Sequence, residues 1–138
     1  VKYEIVPGIT SGIGSATYAG IPLTHRKYAS SVVFVTGHED PEKKTEIVKW
    51  KRLAKSVDTI VIMMGLSRID VICKQLILGG MDKKTPVAVI QNGTTPKQKM
   101  IKGTVTNIAK KVKENKITPP SNIIIGKVVD LSDIIGWK

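Results

Sequence analysis

The chain has 138 residues, 41% of them hydrophobic and 24% charged, a size and balance that give one folded domain with a real core and exclude a disordered tail. Its apolar runs are far too short to span a bilayer, and no charged-then-apolar leader opens it, so neither a membrane helix nor a secretory signal is expected. Twenty-two Lys and Arg against eleven Asp and Glu leave a net charge of +11, a field that draws polyanions such as nucleic acid, phosphates or a carboxylate-rich substrate without choosing among them.

The first residue is Val1 rather than Met, and a strand-like run over residues 2–6 begins almost at once, which points to a piece cut from something longer. Pro7-Gly8-Ile9-Thr10 then makes a turn whose Thr10 or Ser11 caps a short small-residue helix through Ala19. Gly12 and Gly14 weaken that helix and let another backbone or a ligand come close. Residues 31–36 read as a strand whose nearly continuous apolar run predicts burial on both faces. Asp40 and Pro41 start a helix to about Lys55, with Ile47, Trp50 and Ala54 inward and Lys43, Lys44, Lys49, Lys51 and Arg52 outward.

Residues 59–63 form the clearest strand, followed by a helix with Ile69, Ile72, Cys73, Leu76 and Ile77 on one stripe, stopped by Gly79 and Gly80. Residues 86–90 and 98–103 read as strands joined by a short loop, hence a hairpin, because a parallel neighbour needs a longer crossover. A last helix places Val105, Ile108, Ala109 and Val112 on one side, and residues 122–129 make the final strand. The alternation predicts one α/β domain over residues 1–138, a mixed sheet of about five strands flanked by helices.

Motifs with a chemistry of their own are few. No Gly-x-Gly-x-x-Gly, Walker-type loop or metal-ligand cluster occurs, and His25 and His38 stand apart, so no metal site is expected. The single cysteine, Cys73, excludes an internal disulfide, fits a reducing cytoplasm, and falls on an apolar helix face as an inert thiol. Three turns follow strands: Pro7-Gly8-Ile9-Thr10-Ser11, Met63-Met64-Gly65-Leu66 and Gln91-Asn92-Gly93-Thr94-Thr95. Ligands of open α/β sheets sit beyond the carboxyl ends of strands, so these turns form either one pocket wall or merely turns. Thr24, His25 and Arg26 put a hydroxyl, an imidazole and a guanidinium on one loop, either a carboxylate-binding fork or a capped surface turn. The lysines from Lys97 to Lys116 have no aromatics among them for base stacking, which speaks against nucleic acid.

These segments, together with Ala19-Gly20-Ile21-Pro22-Leu23-Thr24-His25-Arg26, Val35-Thr36-Gly37-His38-Glu39 and Gln91-Asn92-Gly93-Thr94-Thr95-Pro96, resemble in their order the tetrapyrrole methylase superfamily, specifically its uroporphyrinogen-III C-methyltransferases. The resemblance covers the chain to Gly126-Lys127-Val128-Val129 and Trp137 and is to the C-terminal half of a two-domain enzyme, with the N-terminal half absent. It implies a cytoplasmic homodimer that transfers two methyl groups from S-adenosylmethionine to uroporphyrinogen III, giving precorrin-2 for sirohaem and cobalamin-type cofactors. It further implies Thr10, Ser11, Met64 and Gly93 as donor-binding residues and Thr24, His25 and Arg26 as substrate contacts, with proton transfer in the missing half. Gly93 is expected to leave room for adenine where a side chain would block the pocket. Lys97 and Lys99 stand where the family carries arginines, keeping charge but losing the guanidinium fork. The alternatives are another precorrin methylase of the same superfamily, a basic nucleic-acid-binding domain, and a folded dimerisation module.

Overall fold

Runs of β-branched residues suit a pleated, half-buried surface, and in the computed structural model, which describes residues 1–38 and 47–136, five of them pair into one sheet. The strands are β1 (Val32–Thr36), β2 (Thr59–Met63), β3 (Pro86–Gln91), β4 (Lys99–Thr104) and β5 (Ser121–Ile125), in the spatial order β1-β2-β5-β3-β4. β1 lies parallel to β2, and every other neighbouring pair is antiparallel. Because β5 runs against both β2 and β3, strands β1, β2 and β3 all end on one rim. The expected hairpin is β3–β4, in register from Pro86 opposite Thr104 to Gln91 opposite Lys99.

Helices cover both faces of the sheet. On one face α2 (Trp50–Ser56), α3 (Ile69–Leu78) and α4 (Ile108–Glu114) bury Trp50, Ile72, Leu76, Ile108 and Val112 against Ile60, Ile62, Val87, Val89, Ile123 and Ile125. Each fully buried aliphatic side chain there stabilises the fold by about 1.5–3 kcal/mol. On the other face α1 (Ser11–Tyr18) packs with Ile21, Ala29, Val128 and Val129 on Ala88, Ile90 and Ile124. A Cβ on Gly12 would stand 2.8 Å from Val61 Cγ1 and 3.0 Å from Phe34 Cε1, so this glycine lets α1 lie close on β1 and β2. A short helix, α5 (Ser132–Ile135), ends the described chain.

Four expectations are corrected. Residues 2–6 are not a strand: residues 1–10 are exposed and pair with no strand of the sheet, and a β pattern becomes a strand only beside a partner. β1 is half-buried at every position rather than buried on both faces, since it is an edge strand with β2 on one side only. Ile47 is 58% exposed, because α2 begins at Trp50 after a bend and the helical spacing that would carry Ile47 inward is absent. The expected start at Asp40 and Pro41, with Lys43 and Lys44, lies outside the described residues. β5 stops at Ile125 instead of continuing to Val129. Gly126 turns the chain at φ +146°, where a Cβ would meet the Asp58 carbonyl at 2.6 Å, and a 3-10 turn, Lys127–Leu131, folds Val128 and Val129 onto the α1 face. Val105 precedes α4 but is buried as its pattern required.

Candidate functional site

Where β2 and β3 end, the backbone enters the left-handed region at residues other than glycine. Met64 has φ +54°, Asn92 +49° and Thr94 +69°, and these are three of the four such residues among those described. Each such conformation costs on the order of 1–3 kcal/mol and persists only where its surroundings enforce it. All three line one cavity of about 560 Å³ at the rim where β1, β2 and β3 end.

Hydrogen bonds hold the loop after β3. The Asn92 amide donates to the Pro120 carbonyl at 3.0 Å, the Thr94 amide to Gln98 Oε1 at 2.8 Å, and the Thr95 hydroxyl to the Asn92 carbonyl at 2.7 Å. The turns after β1 and β2 touch backbone to backbone: a Cβ on Gly37 would lie 2.3 Å from Gly65 Cα. Gly65, in one of the three turns that follow strands, is what lets the turns after β1 and β2 meet.

The first turn of α1 closes one side of the cavity with Ser11 and Ser15, and β5 contributes Ser121 and Asn122. Met63, Met64, Leu66, Pro119 and Pro120 supply apolar wall, and no Asp, Glu, Lys or Arg lines the cavity among the described residues. The Ser121 hydroxyl is buried and has no hydrogen-bond partner among the described residues.

Of the residues singled out from sequence, Ser11, Met64 and Gly93 line this cavity together. Thr10 stands beside it at the N-cap position of α1. Its side chain makes no cap bond; the hydroxyl instead faces Met63 Sδ at 3.6 Å. Gly93 is needed for a reason other than the one expected. A Cβ there would lie 2.4 Å from Ser15 Cβ and 3.1 Å from Ser15 Cα, so the missing side chain points into α1 and not into open pocket.

Thr24, His25 and Arg26 do not join the cavity. His25 begins a tight turn closed by its pairing with Ala29, and its ring stacks on Tyr28 at 5.0 Å. Tyr28 borders the start of β3 and the end of β5, with Pro86 and Lys127, on the opposite rim. At the N-terminal ends of β1 and β2 on that rim, Asp58 accepts from the Ser30 and Ser31 amides and the Ser31 hydroxyl. These bonds, led by that from Ser30, hold its carboxyl below the ordinary value of 3.8. Cys73 lies on the inner face of α3, its thiol pushed up to about 12 by burial and then by Asp70, as an inert thiol should be.

Sequence reading missed Ser15, Ser121 and Asn122 as site residues. The one available signal was polarity: a serine and an asparagine directly before three isoleucines in a strand otherwise suited to burial. Among the described residues, no group of His, Cys, Asp and Glu is placed to hold a metal ion, and no helix is long and apolar enough to cross a membrane.

Known proteins carry the same fold and sequence pattern. The uroporphyrinogen-III C-methyltransferase of Priestia megaterium is 48% identical over 132 residues, covering 96% of this chain and 55% of that protein. The structure of a cobalt precorrin-4 methyltransferase superposes with a TM-score of 0.82 at 29% identity, covering 92% of this chain and 53% of the other. The uroporphyrin-III C-methyltransferase of Thermus thermophilus, solved with S-adenosyl homocysteine, superposes at 0.76 with 30% identity, covering 93% and 54%. The chain spans between about a quarter and about half the length of the curated relatives it matches. The family profile of the tetrapyrrole (corrin/porphyrin) methylases matches residues 1–109, and with that match the chain belongs to this family.

Proposed function

We propose that this chain is the C-terminal half of an S-adenosylmethionine-dependent methyltransferase that converts uroporphyrinogen III to precorrin-2. The observation that carries the proposal is the gathering of Ser11, Met64 and Gly93 around one cavity in a member of this family. The donor, when bound, supplies an electrophilic methyl group on sulfur. Methyl transfer to carbon then depends chiefly on holding the two reactants in line, so this half contributes position and a dry wall.

The cavity suits such a donor. Its volume lies in the range of small-molecule sites, and its walls are mostly apolar with a few convergent polar groups. Met64 is 65% exposed and held in a strained turn, which presents a soft thioether without competing for hydrogen bonds. Ser11 and the adjoining Thr10 present hydroxyls at the start of α1. A carboxylate-rich substrate accounts for the net charge of +11. The exposed Tyr3, Ile5, Val6, Ile9, Ile13 and Tyr18 support a second half docking along residues 3–18. A cytoplasmic homodimer is part of the same proposal.

Calorimetry with S-adenosylmethionine tests the division of labour. The two-domain protein should bind it at micromolar concentration and the 138-residue chain should not, because half a cleft loses contact area and preorganisation together. Micromolar binding by the chain alone would place the whole donor site here. The close superposition on cobalt precorrin-4 methyltransferase favours a second reading, methylation of another tetrapyrrole. Mass spectrometry separates the two: incubation of the complete enzyme with uroporphyrinogen III should add two methyl groups.

A further inference from the structure

We propose that Asn122 is the positioning residue that fixes the shape of the methyl-donor cavity by tying its three walls to one point of the sheet. This rests on the donor-site reading above and extends it to a lining residue of β5 that also holds the neighbouring walls.

Asn122 is 8% exposed and precedes Ile123, Ile124 and Ile125 in β5, where an apolar residue would cost nothing in desolvation. Its amide is instead fully engaged. Nδ2 donates to the Ser11 carbonyl at 3.1 Å and to Ser15 Oγ at 3.0 Å, and Oδ1 faces the Ser11 hydroxyl at 3.5 Å. Ser15 Oγ in turn donates to the Ser11 carbonyl at 2.7 Å, so the first turn of α1 is knitted to one side chain of the sheet.

By its backbone the same residue lies opposite Met63 of β2 and Ile90 of β3, just before the two turns that carry Met64 and Gly93. Ser15 is the group on which Gly93 rests, at a separation that leaves no room for a methyl. A chain of contacts therefore runs from Asn122 through Ser15 to the strained turn at Asn92, Gly93 and Thr94. If Asn122 releases α1, that turn loses the surface that enforces its conformation, and the cavity wall moves with it.

The test uses the complete two-domain enzyme with Asn122→Asp, Ser15→Ala and the double variant. Aspartate keeps size but cannot donate to the Ser11 carbonyl or Ser15 Oγ. Expected are a donor Kd at least tenfold weaker in Asn122→Asp, a donor KM raised by more than kcat falls, and a double variant no worse than Asn122→Asp alone. A purely structural role would lower the melting temperature while folded protein kept its parent donor Kd, and that result overturns the proposal. If Asn122→Asp does not fold, Ser15→Ala decides: an unchanged donor Kd overturns the proposal and a weakened one supports it. Parent enzyme that binds no S-adenosylmethionine would overturn the donor-site reading itself, and this proposal with it.

Discussion

Replacing Gly93 by alanine places one methyl where the structure has none to spare. The new carbon would sit 2.4 Å from Ser15 Cβ and 3.1 Å from Ser15 Cα, against about 3.5–4.0 Å for a comfortable carbon contact. The loop after β3 and α1 must therefore part by more than about 1 Å. Forcing such bulk into a packed contact costs about 1–3 kcal/mol, which a shifted urea midpoint at constant slope would report. Since Ser15 and Gly93 both line the cavity, the same displacement should weaken S-adenosylmethionine binding by the two-domain enzyme at least tenfold, about 1.4 kcal/mol. Ser15→Gly removes the nearer of the two clashing atoms, though it adds a helix glycine costing about 1 kcal/mol and gives up the Asn122 bond. Neighbouring substitutions that share one clash are not additive, so the double variant should be more stable than the sum of the single losses. Strict additivity, or a Gly93→Ala protein as stable and as tightly binding as its parent, would refute this account of the glycine. Leucine at the same position should disrupt the α1 contact altogether rather than fill the pocket of an intact domain.

Asp58 has its carboxyl held below 3.8 by the Ser30 and Ser31 donors, so the stability it contributes is present above that pH and lost as acid protonates it; Asp58→Asn should show a shallower loss of stability below pH 4 in acid titrations followed by circular dichroism. Cys73, raised from 9.0 to about 12, favours the folded state fully below pH 9 and progressively less as the pH climbs from 9 toward 12. Native protein at pH 8 should therefore resist a thiol reagent that labels the urea-unfolded chain at once, and rapid native labelling would contradict the burial.

The sheet and its hairpin were legible because periodicity and loop length are local properties: isoleucine and valine runs name strands, and the short loop from Gln91 to Gln98 leaves no room for a crossover. What failed depended on partners. Residues 2–6 have the alternation of a strand but no neighbour in this sheet, and Val128 and Val129 continue an apolar run past a glycine whose φ redirects the chain. At the site, the turns carrying Met64 and Gly93 were visible as small-residue segments after strands. Their meeting with Ser11 required the fold, and the Asn122 amide required the knowledge that α1 crosses β5. Thr24, His25 and Arg26 stand together in sequence and far from the cavity in space, because the tight turn ending at Ala29 turns them toward the opposite rim.

The position of β5 also bears on how the chain assembles as it leaves the ribosome. This strand is the last of the five to be made, yet it lies in the middle of the sheet and joins the β1–β2 pair to the β3–β4 hairpin. Until residues 121–125 emerge, the nascent polypeptide holds two separate ribbons, each with an unpaired apolar edge of the kind that captures strands from other molecules. A fragment ending at residue 109, where the family match stops, would keep both ribbons and lose the seam between them. Such a fragment should aggregate rather than fold, and a peptide of β5 supplied in trans is the natural agent to restore it.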